Sequence, residues 1–260
     1  MLQIKLLGTL SICSGKAELS IEGLKRRSVL AALIVRSNSI VPLEELALEV
    51  WRDEPPPGAE NALQAHISRI RSSLSEWRER TQARVYLRTR YPGYVLEVPQ
   101  RSVDIWQFRH RYAQAHAVKT SRPEEAVALY RSALALWRGP ALQDVPPGPI
   151  TDAERGRLAR ERLMVVAGLA ELDLAIGRHL EIIPDLEQLV LDHPLEERLY
   201  AQLMVALARA GRTGDALQVY QHARLSLAQE AGLSPSPALQ RRMRAILEAS
   251  AQGDEATERT

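Results

Sequence analysis

Apolar and polar residues alternate along the first twenty positions and then change period, and that change marks out the front of the chain. In LQIKLLGTLSIC and AELSI the alternation runs around the turn signal Ser14-Gly15-Lys16, the pattern of short antiparallel strands. From Lys25 the period becomes helical: KRRSVLAALIV places Val29, Leu30, Leu33 and Ile34 on one face, and Asn38 breaks it. After Val41-Pro42, LEELALEVW makes a second helix ending near Trp51, whose ring is expected to close the core. The DEPPPG loop follows, which no helix can cross.

The longest amphipathic stretch is Asn61 to Trp77, NALQAHISRIRSSLSEW, inside a helix that starts near Glu60. At about 100° per residue, Leu63, Ile67, Ile70 and Leu74 fall on one narrow stripe that packs into a core. The opposite side carries Asn61, Ala65, Ser68, Arg69 and Ser72, with Arg71 on the flank. An ordinary solvated face shows a Glu/Lys mixture. Small residues with a few Asn, Arg and Ser side chains suit a helix lying in a DNA major groove, where close approach and base-edge hydrogen bonds are both needed.

Downstream, ARVYLRTRYPGYVLEV reads as two strands joined at Tyr91-Pro92-Gly93. Helix, helix, longer helix and hairpin make a winged helix over residues 1–99, with Arg88 and Arg90 near the tip of the wing. Pro99 to Val103 reads as a short polar joint. From Asp104, a candidate helix cap, the pattern is wholly helical to about residue 250. Ala126, Leu129, Tyr130, Ala133, Leu134 and Trp137 form the buried side of one helix. RGPALQDVPPGPIT reads as an ordered loop. Gly177-Arg178 recurs as Gly211-Arg212, an offset of 34 residues, the tetratricopeptide period. Ala216, Tyr220 and Ala223 take the small, aromatic and small positions of such a repeat, a triplet also present as Ala126, Tyr130 and Ala133. Pro194 ends a repeat, and Leu186 replaces its aromatic. Stacked helix pairs of this kind offer a surface to another protein. Residues 251–260 lack an apolar face and are expected to be a disordered tail. The fold class is mainly α with a little β: an N-terminal winged helix-turn-helix, then an all-α tetratricopeptide-like domain over 104–250.

Composition narrows the function. The net charge is only +2 over 260 residues, so the chain is no polycation. Residues 59–90, however, hold 7 Arg against 3 Glu, a local net +4 around the long helix and the footprint of phosphate contact. The single Cys13 excludes an internal disulfide and any cysteine-built metal site, and fits a reducing cytoplasm. No apolar run approaches the roughly 20 residues of a membrane span, and MLQIKLLGTL lacks a signal peptide's layout, so a cytoplasmic protein is expected. The six histidines show neither zinc spacing nor an HExxH arrangement, and there is no GxSxG elbow. Gly8 to Lys16 has the wrong spacing for a phosphate loop, with Ala17 where Ser or Thr is needed. Glu44-Glu45 and Glu124-Glu125 read as solvated helix faces, and Asp104, Asp144 and Asp152 as caps and turns. No catalytic residue, metal or cofactor is expected.

ALQAHISRIR, RTRYPGYVLEV and the Pro-rich loop resemble the OmpR/PhoB-type winged helix, the output fold of two-component systems. More closely, they resemble its version in the Streptomyces antibiotic regulatory protein (SARP) family. LWRGPALQDVP, the stretch GRHLEIIPDLEQLVLDHPLEERLYAQLMVALARAGRTGDALQVYQ and GLSPSPALQRRMRAIL resemble the bacterial transcriptional activation domain of the same regulators. The resemblance covers nearly the whole chain to about Ser250. It implies that Asn61, Ala65 and Arg69 face bases, and that Ser68, Arg71, Arg88 and Arg90 meet the phosphate backbone. Ser68 stands where many response-regulator relatives have Arg, and His66 flanks the groove side. The resemblance further implies an activator bound as two copies to promoter direct repeats, contacting RNA polymerase and serving an antibiotic or other biosynthetic gene cluster. The length leaves no room for a phosphate-receiving or ATPase domain. Two other functions fit the residues: a protein-interaction scaffold built on the repeats, and a ligand-gated regulator whose helical half binds a small molecule.

Overall fold

Strands β1 (Leu2–Lys5), β2 (Ser11–Ser14) and β3 (Ala17–Glu18) form an antiparallel sheet in the order β1-β2-β3. Its register, with Leu2 opposite Ser14 and Lys5 opposite Ser11, turns Leu2, Ile4 and Ile12 inward. The structure, a computed structural model, describes residues 1–52 and 54–257, the side chains of 250–257 excepted. The chain packs as two compact units, one of Met1–His116 with Leu129–Met164, the other of Ala117–Ala128 with the chain from Val165 onward.

In the front unit, α1 (Leu24–Val35), α2 (Leu43–Trp51) and α3 (Ala59–Thr81) pack on one another. A second antiparallel sheet, of β4 (Val41–Pro42), β5 (Tyr86–Arg90) and β6 (Gly93–Glu97), takes the order β4-β6-β5. Strand β4 is an addition to the sequence reading, which had Val41-Pro42 only as a helix lead-in. The two residues pair with Tyr94 and Gly93. A Cβ on Gly93 would lie 1.9 Å from the Val41 carbonyl oxygen, so this close pairing requires glycine. The buried stripe of α3 is Leu63, Ile67, Ile70, Leu74 and Trp77. Trp77, 1% exposed, is the large ring at the centre, while Trp51 is only half-buried. The sequence expectation for Trp51 is corrected accordingly: it closes α2, whereas Trp77 continues the apolar stripe of a longer helix.

Residues 99–103 are not an open joint. Gln100–Ser102 form a 3-10 turn in which Ser102 is buried, Val103 is buried after it, and Ile4 bridges to Val103 in parallel. Helix α4 (Asp104–Val118) then begins, and the Asp104 carboxylate accepts the Leu6 and Leu7 backbone N–H groups at 2.8–2.9 Å. That role exceeds the cap expected of it. Helices α5 (Pro123–Leu134) and α6 (Pro149–Ala175) flank the proline-rich loop. The loop is stitched to the first sheet by Arg138 N–H to Leu7 O and Leu142 N–H to Leu6 O, both 2.8 Å, and by Gln143 N–H to Gly8 O at 3.1 Å. Asp144 is likewise more than a turn residue: it accepts from Leu10 N–H at 2.7 Å and pairs with Arg27.

The other unit holds α7 (His179–Asp192), α8 (Glu197–Arg209), α9 (Thr213–Ala231) and α10 (Pro237–Thr257). The 34-residue repetition is visible in its turns. Arg178 N–H donates to Asp173 O at 2.8 Å and Arg212 N–H to Leu207 O at 2.9 Å, each following a glycine at positive φ. These are matching helix C-terminal motifs. Tyr200, fully buried, is the core aromatic here, with His222 edge-on at 5.8 Å, whereas Tyr220 is half-buried. The α10 backbone continues helical to Thr257, through the stretch the sequence reading places in a disordered tail. Good helix formers (Ala251, Gln252, Glu255, Ala256) outnumber Gly253 there. The last three residues of that stretch, 258–260, lie outside the described residues.

Candidate nucleic-acid interface

Burial of one stripe fixes the rotation of α3, and so decides what its other side presents. With Leu63, Ile67, Ile70, Leu74 and Trp77 inside, Asn61, Ala65, Ser68, Arg69 and Ser72 all lie on the exposed side. They form one row spanning roughly 16 Å along the axis at 1.5 Å per residue. Three of the five are Ala or Ser, so the row is low, and Asn61 and Arg69 project from it. Among the described residues Arg69 has no hydrogen-bond or ion-pair partner. Among those residues nothing occupies its donors.

The other arginines differ in how they are engaged. Arg71 Nε–H donates to the Leu87 carbonyl at 3.1 Å and an Nη2–H to Thr89 Oγ1 at 3.0 Å. It thereby fastens strand β5 of the wing to α3. Arg88 pairs with Glu97 at 2.7 Å, and its guanidinium lies 5.2 Å from the centre of the Tyr86 ring. Arg90, at the strand end, is exposed and without a partner among the described residues. Beside it Tyr91 is 97% exposed. Among the described residues, Arg69 and Arg90 are therefore the two predicted contact arginines whose charge is uncommitted, while Arg71 and Arg88 also serve the wing's own structure.

Two further cations, Lys25 and Arg26, join α3 at its flank, beside His66. Burial is the first cause holding the His66 imidazole below its usual value, with the charges of Arg26, Arg69 and Lys25 adding to it. Lys25 sits 5.2 Å above the Trp51 ring, and Trp51 and His66 have ring centroids 6.5 Å apart. Lys25 and Arg26 thus extend the basic region around Arg69. The signal was the KRR run near the start of α1, which the sequence reading did not assign to DNA contact. Among the described residues no three His, Cys, Asp or Glu side chains are placed to hold a metal ion, and no helix is long and apolar enough to cross a membrane.

Comparison with known proteins matches residues 23–96 to the family described as "Transcriptional regulatory protein, C terminal" and residues 103–247 to "Bacterial transcriptional activator domain". Regulatory protein DnrI of Streptomyces peucetius is 35% identical over 252 residues, covering 95% of this chain and 93% of DnrI. Transcriptional regulator RedD of Streptomyces coelicolor is 36% identical, over 94% of this chain and 70% of RedD. Among solved structures, EmbR of Mycobacterium tuberculosis, in complex with a low affinity phosphopeptide, superposes with a TM-score of 0.87 at 30% identity. That match covers 95% of this chain but 65% of the EmbR chain, so the present chain spans less than two thirds of it. These relatives are transcriptional regulators and not enzymes. A winged helix and an activator domain, matched in order along one chain and shared with DnrI over nearly all its length, make this protein a member of the SARP family of transcriptional regulators.

Proposed function

We propose that the chain is a sequence-specific DNA-binding activator that sits as two copies on promoter direct repeats in the cytoplasm and contacts RNA polymerase. Its target would be a biosynthetic gene cluster, as the family's name suggests. The exposed row on α3, with uncommitted Arg69 within it and uncommitted Arg90 at the wing, supports this reading best. In it residues 1–99 are the DNA-binding domain and 104–250 the activation domain. Asn61 and Arg69 read base edges, with Ala65 and Ser72 allowing close approach. Ser68, Arg71, Arg88 and Arg90 meet phosphates, Arg71 and Arg88 with the donors left over from their contacts in the wing. A guanidinium pairs bidentately with guanine, and an Asn amide with adenine.

Footprinting on the promoter nearest the protein's own gene, with and without polymerase, tests the whole reading. Arg69→Ala should cost roughly 1–3 kcal/mol on the specific site and relax its sequence preference. Arg90→Ala should weaken binding to all sequences alike and lower the slope of log affinity against log salt by about 0.9, one phosphate's share. An Arg69→Ala protein with unchanged footprint and affinity would remove α3 from the base-reading role. Absence of any footprint would leave the scaffold alternative standing.

A further inference from the structure

We infer that the front unit carries a second binding site, for a planar aromatic ring bearing a carboxylate or phosphate, in the cleft between β1 and the start of α4. This cleft, about 740 Å³ and lined by both segments with the turn before α4, falls within the size range of small-molecule sites, roughly 300–1,000 Å³. It is separate from the row on α3.

The chemistry of its walls is one-sided. Every ionisable side chain lining it is basic or imidazole, namely Arg101, His110 and Arg111. Four glutamines, Gln3, Gln100, Gln107 and Gln114, add amide donors and acceptors. Trp106, with Met1 and Leu2, completes the lining. It is 43% exposed, although α4 buries its neighbours Ile105 and Phe108. Along α4, Trp106, His110 and Gln114 recur at four-residue spacing, one face of the helix away from its core. Two of these groups are already oriented: Arg111 Nη1–H donates to the Ser132 carbonyl at 2.5 Å, and Gln107 Nε2–H to the Arg101 carbonyl at 2.9 Å. An exposed tryptophan beside guanidinium groups, with no carboxylate among the lining residues, is matched by a ring to stack on the indole and an anion to meet the arginines. The glutamine amides can read polar edges of such a ring.

The test uses the full chain labelled with nitrogen-15 and follows the tryptophan indole N–H signals, the Trp106 signal being assigned by its loss in Trp106→Phe. The probes are 2-naphthoate, AMP, and naphthalene-2-methanol as the uncharged ring. At least one anion should shift the Trp106 signal saturably with a Kd below about 1 mM, roughly −4 kcal/mol. The uncharged ring should bind at least about tenfold more weakly, and Arg101→Glu should weaken the anion by a similar factor of about ten, roughly 1.4 kcal/mol, with the other indole signals in place. Which anion binds tells carboxylate from phosphate. The inference is overturned if neither anion moves the Trp106 signal, if the uncharged ring binds as well, or if Arg101→Glu leaves the titration unchanged. None of these readouts involves α3 or the wing, so failure here leaves the DNA-binding proposal intact, and failure of that proposal leaves this one intact.

Discussion

The Asp104 carboxylate takes two backbone N–H groups, of Leu6 and Leu7, from nearly a hundred residues away in sequence. Removing it strands both donors in a buried place, and each unsatisfied group costs about 1–3 kcal/mol. Asp104→Ala should therefore lower the unfolding free energy by roughly 2–6 kcal/mol, and Asp104→Asn, which keeps one acceptor, should cost less. Urea titration of the three proteins checks the order, and an Asp104→Ala midpoint equal to wild type would refute it. Arg71 and Arg90 separate in the same way. Arg71→Ala should lose DNA affinity and also about 1 kcal/mol of stability, because it frees the Leu87 and Thr89 acceptors of the wing. Arg90→Ala should lose affinity alone, and thermal melts beside binding curves distinguish the two. What sequence could say about these residues was limited by distance along the chain. Asp before IWQF reads as a cap from local rules, and Arg71 falls on the helix flank by periodicity. That Asp104 reaches back to β1, or that Arg71 is held by a carbonyl of the returning hairpin, is settled by long-range packing that leaves no local mark.

The same division holds for the elements. All three helices of the winged helix and its hairpin were legible because each has an apolar pattern of its own and a proline or glycine at one end, although α1 buries an unbroken run from Ser28 to Ile34. Strand β4 was not, since two residues have no period and only their partner β6 makes them a strand. Glu49 is the clearest omission. In LEELALEVW it looks like one more solvated helix carboxylate, yet it is 1% exposed. Its oxygens accept Ile150 N–H at 2.7 Å, Thr151 N–H at 3.3 Å and the Thr151 hydroxyl at 2.5 Å. These N–H groups open α6, where Pro149 occupies the first turn and helix donors lack internal partners. One helix thus caps another. Gly148 is part of the device, because a Cβ there would lie 2.4 Å from the Glu49 carboxyl carbon, and Gly148→Ala should be destabilising for want of room. Burial pushes the Glu49 carboxyl above its ordinary value of 4.5, against the lowering effect of the Thr151 and Ile150 hydrogen bonds. The folded state then binds this proton more tightly than the unfolded state does. The associated stability is fully present below the unfolded value and is lost as pH rises through the raised one. Glu49→Gln abolishes that titration. The stability of wild type relative to Glu49→Gln should fall as pH climbs from about 4.5 toward neutrality, as read from denaturant unfolding at a series of pH values. A flat or rising difference would contradict the assignment.

For the molecule as a whole, the winged helix does not pack as an isolated piece. Its compact unit takes in Leu129–Met164, and the contacts that bind these later residues to it are specific. Leu6 and Leu7 give their N–H groups to Asp104 and accept at their carbonyls from Leu142 and Arg138. Gly8 accepts from Gln143, and Glu49 holds Ile150 and Thr151. A fragment ending at residue 99 forfeits all of them while keeping α3, the wing and every residue of the candidate DNA surface. At about 1 kcal/mol for each backbone hydrogen bond lost, and more where a buried donor is stranded, the deficit is comparable with the roughly 5–15 kcal/mol that holds a domain folded. Each kcal/mol shifts the melting temperature of a domain this small by about 4–8 °C. The fragment 1–99 should accordingly melt far below the fragment 1–164, or fail to fold, and should bind DNA weakly for that reason alone. Circular dichroism melts of the two fragments decide the matter: if 1–99 melts within a few degrees of 1–164, the later segments decorate the winged helix rather than complete it. If the melts separate as expected, the smallest unit able to present Asn61, Arg69 and Arg90 in their folded geometry reaches into α6, and the loop between α5 and α6 is part of the DNA-binding module's own stability.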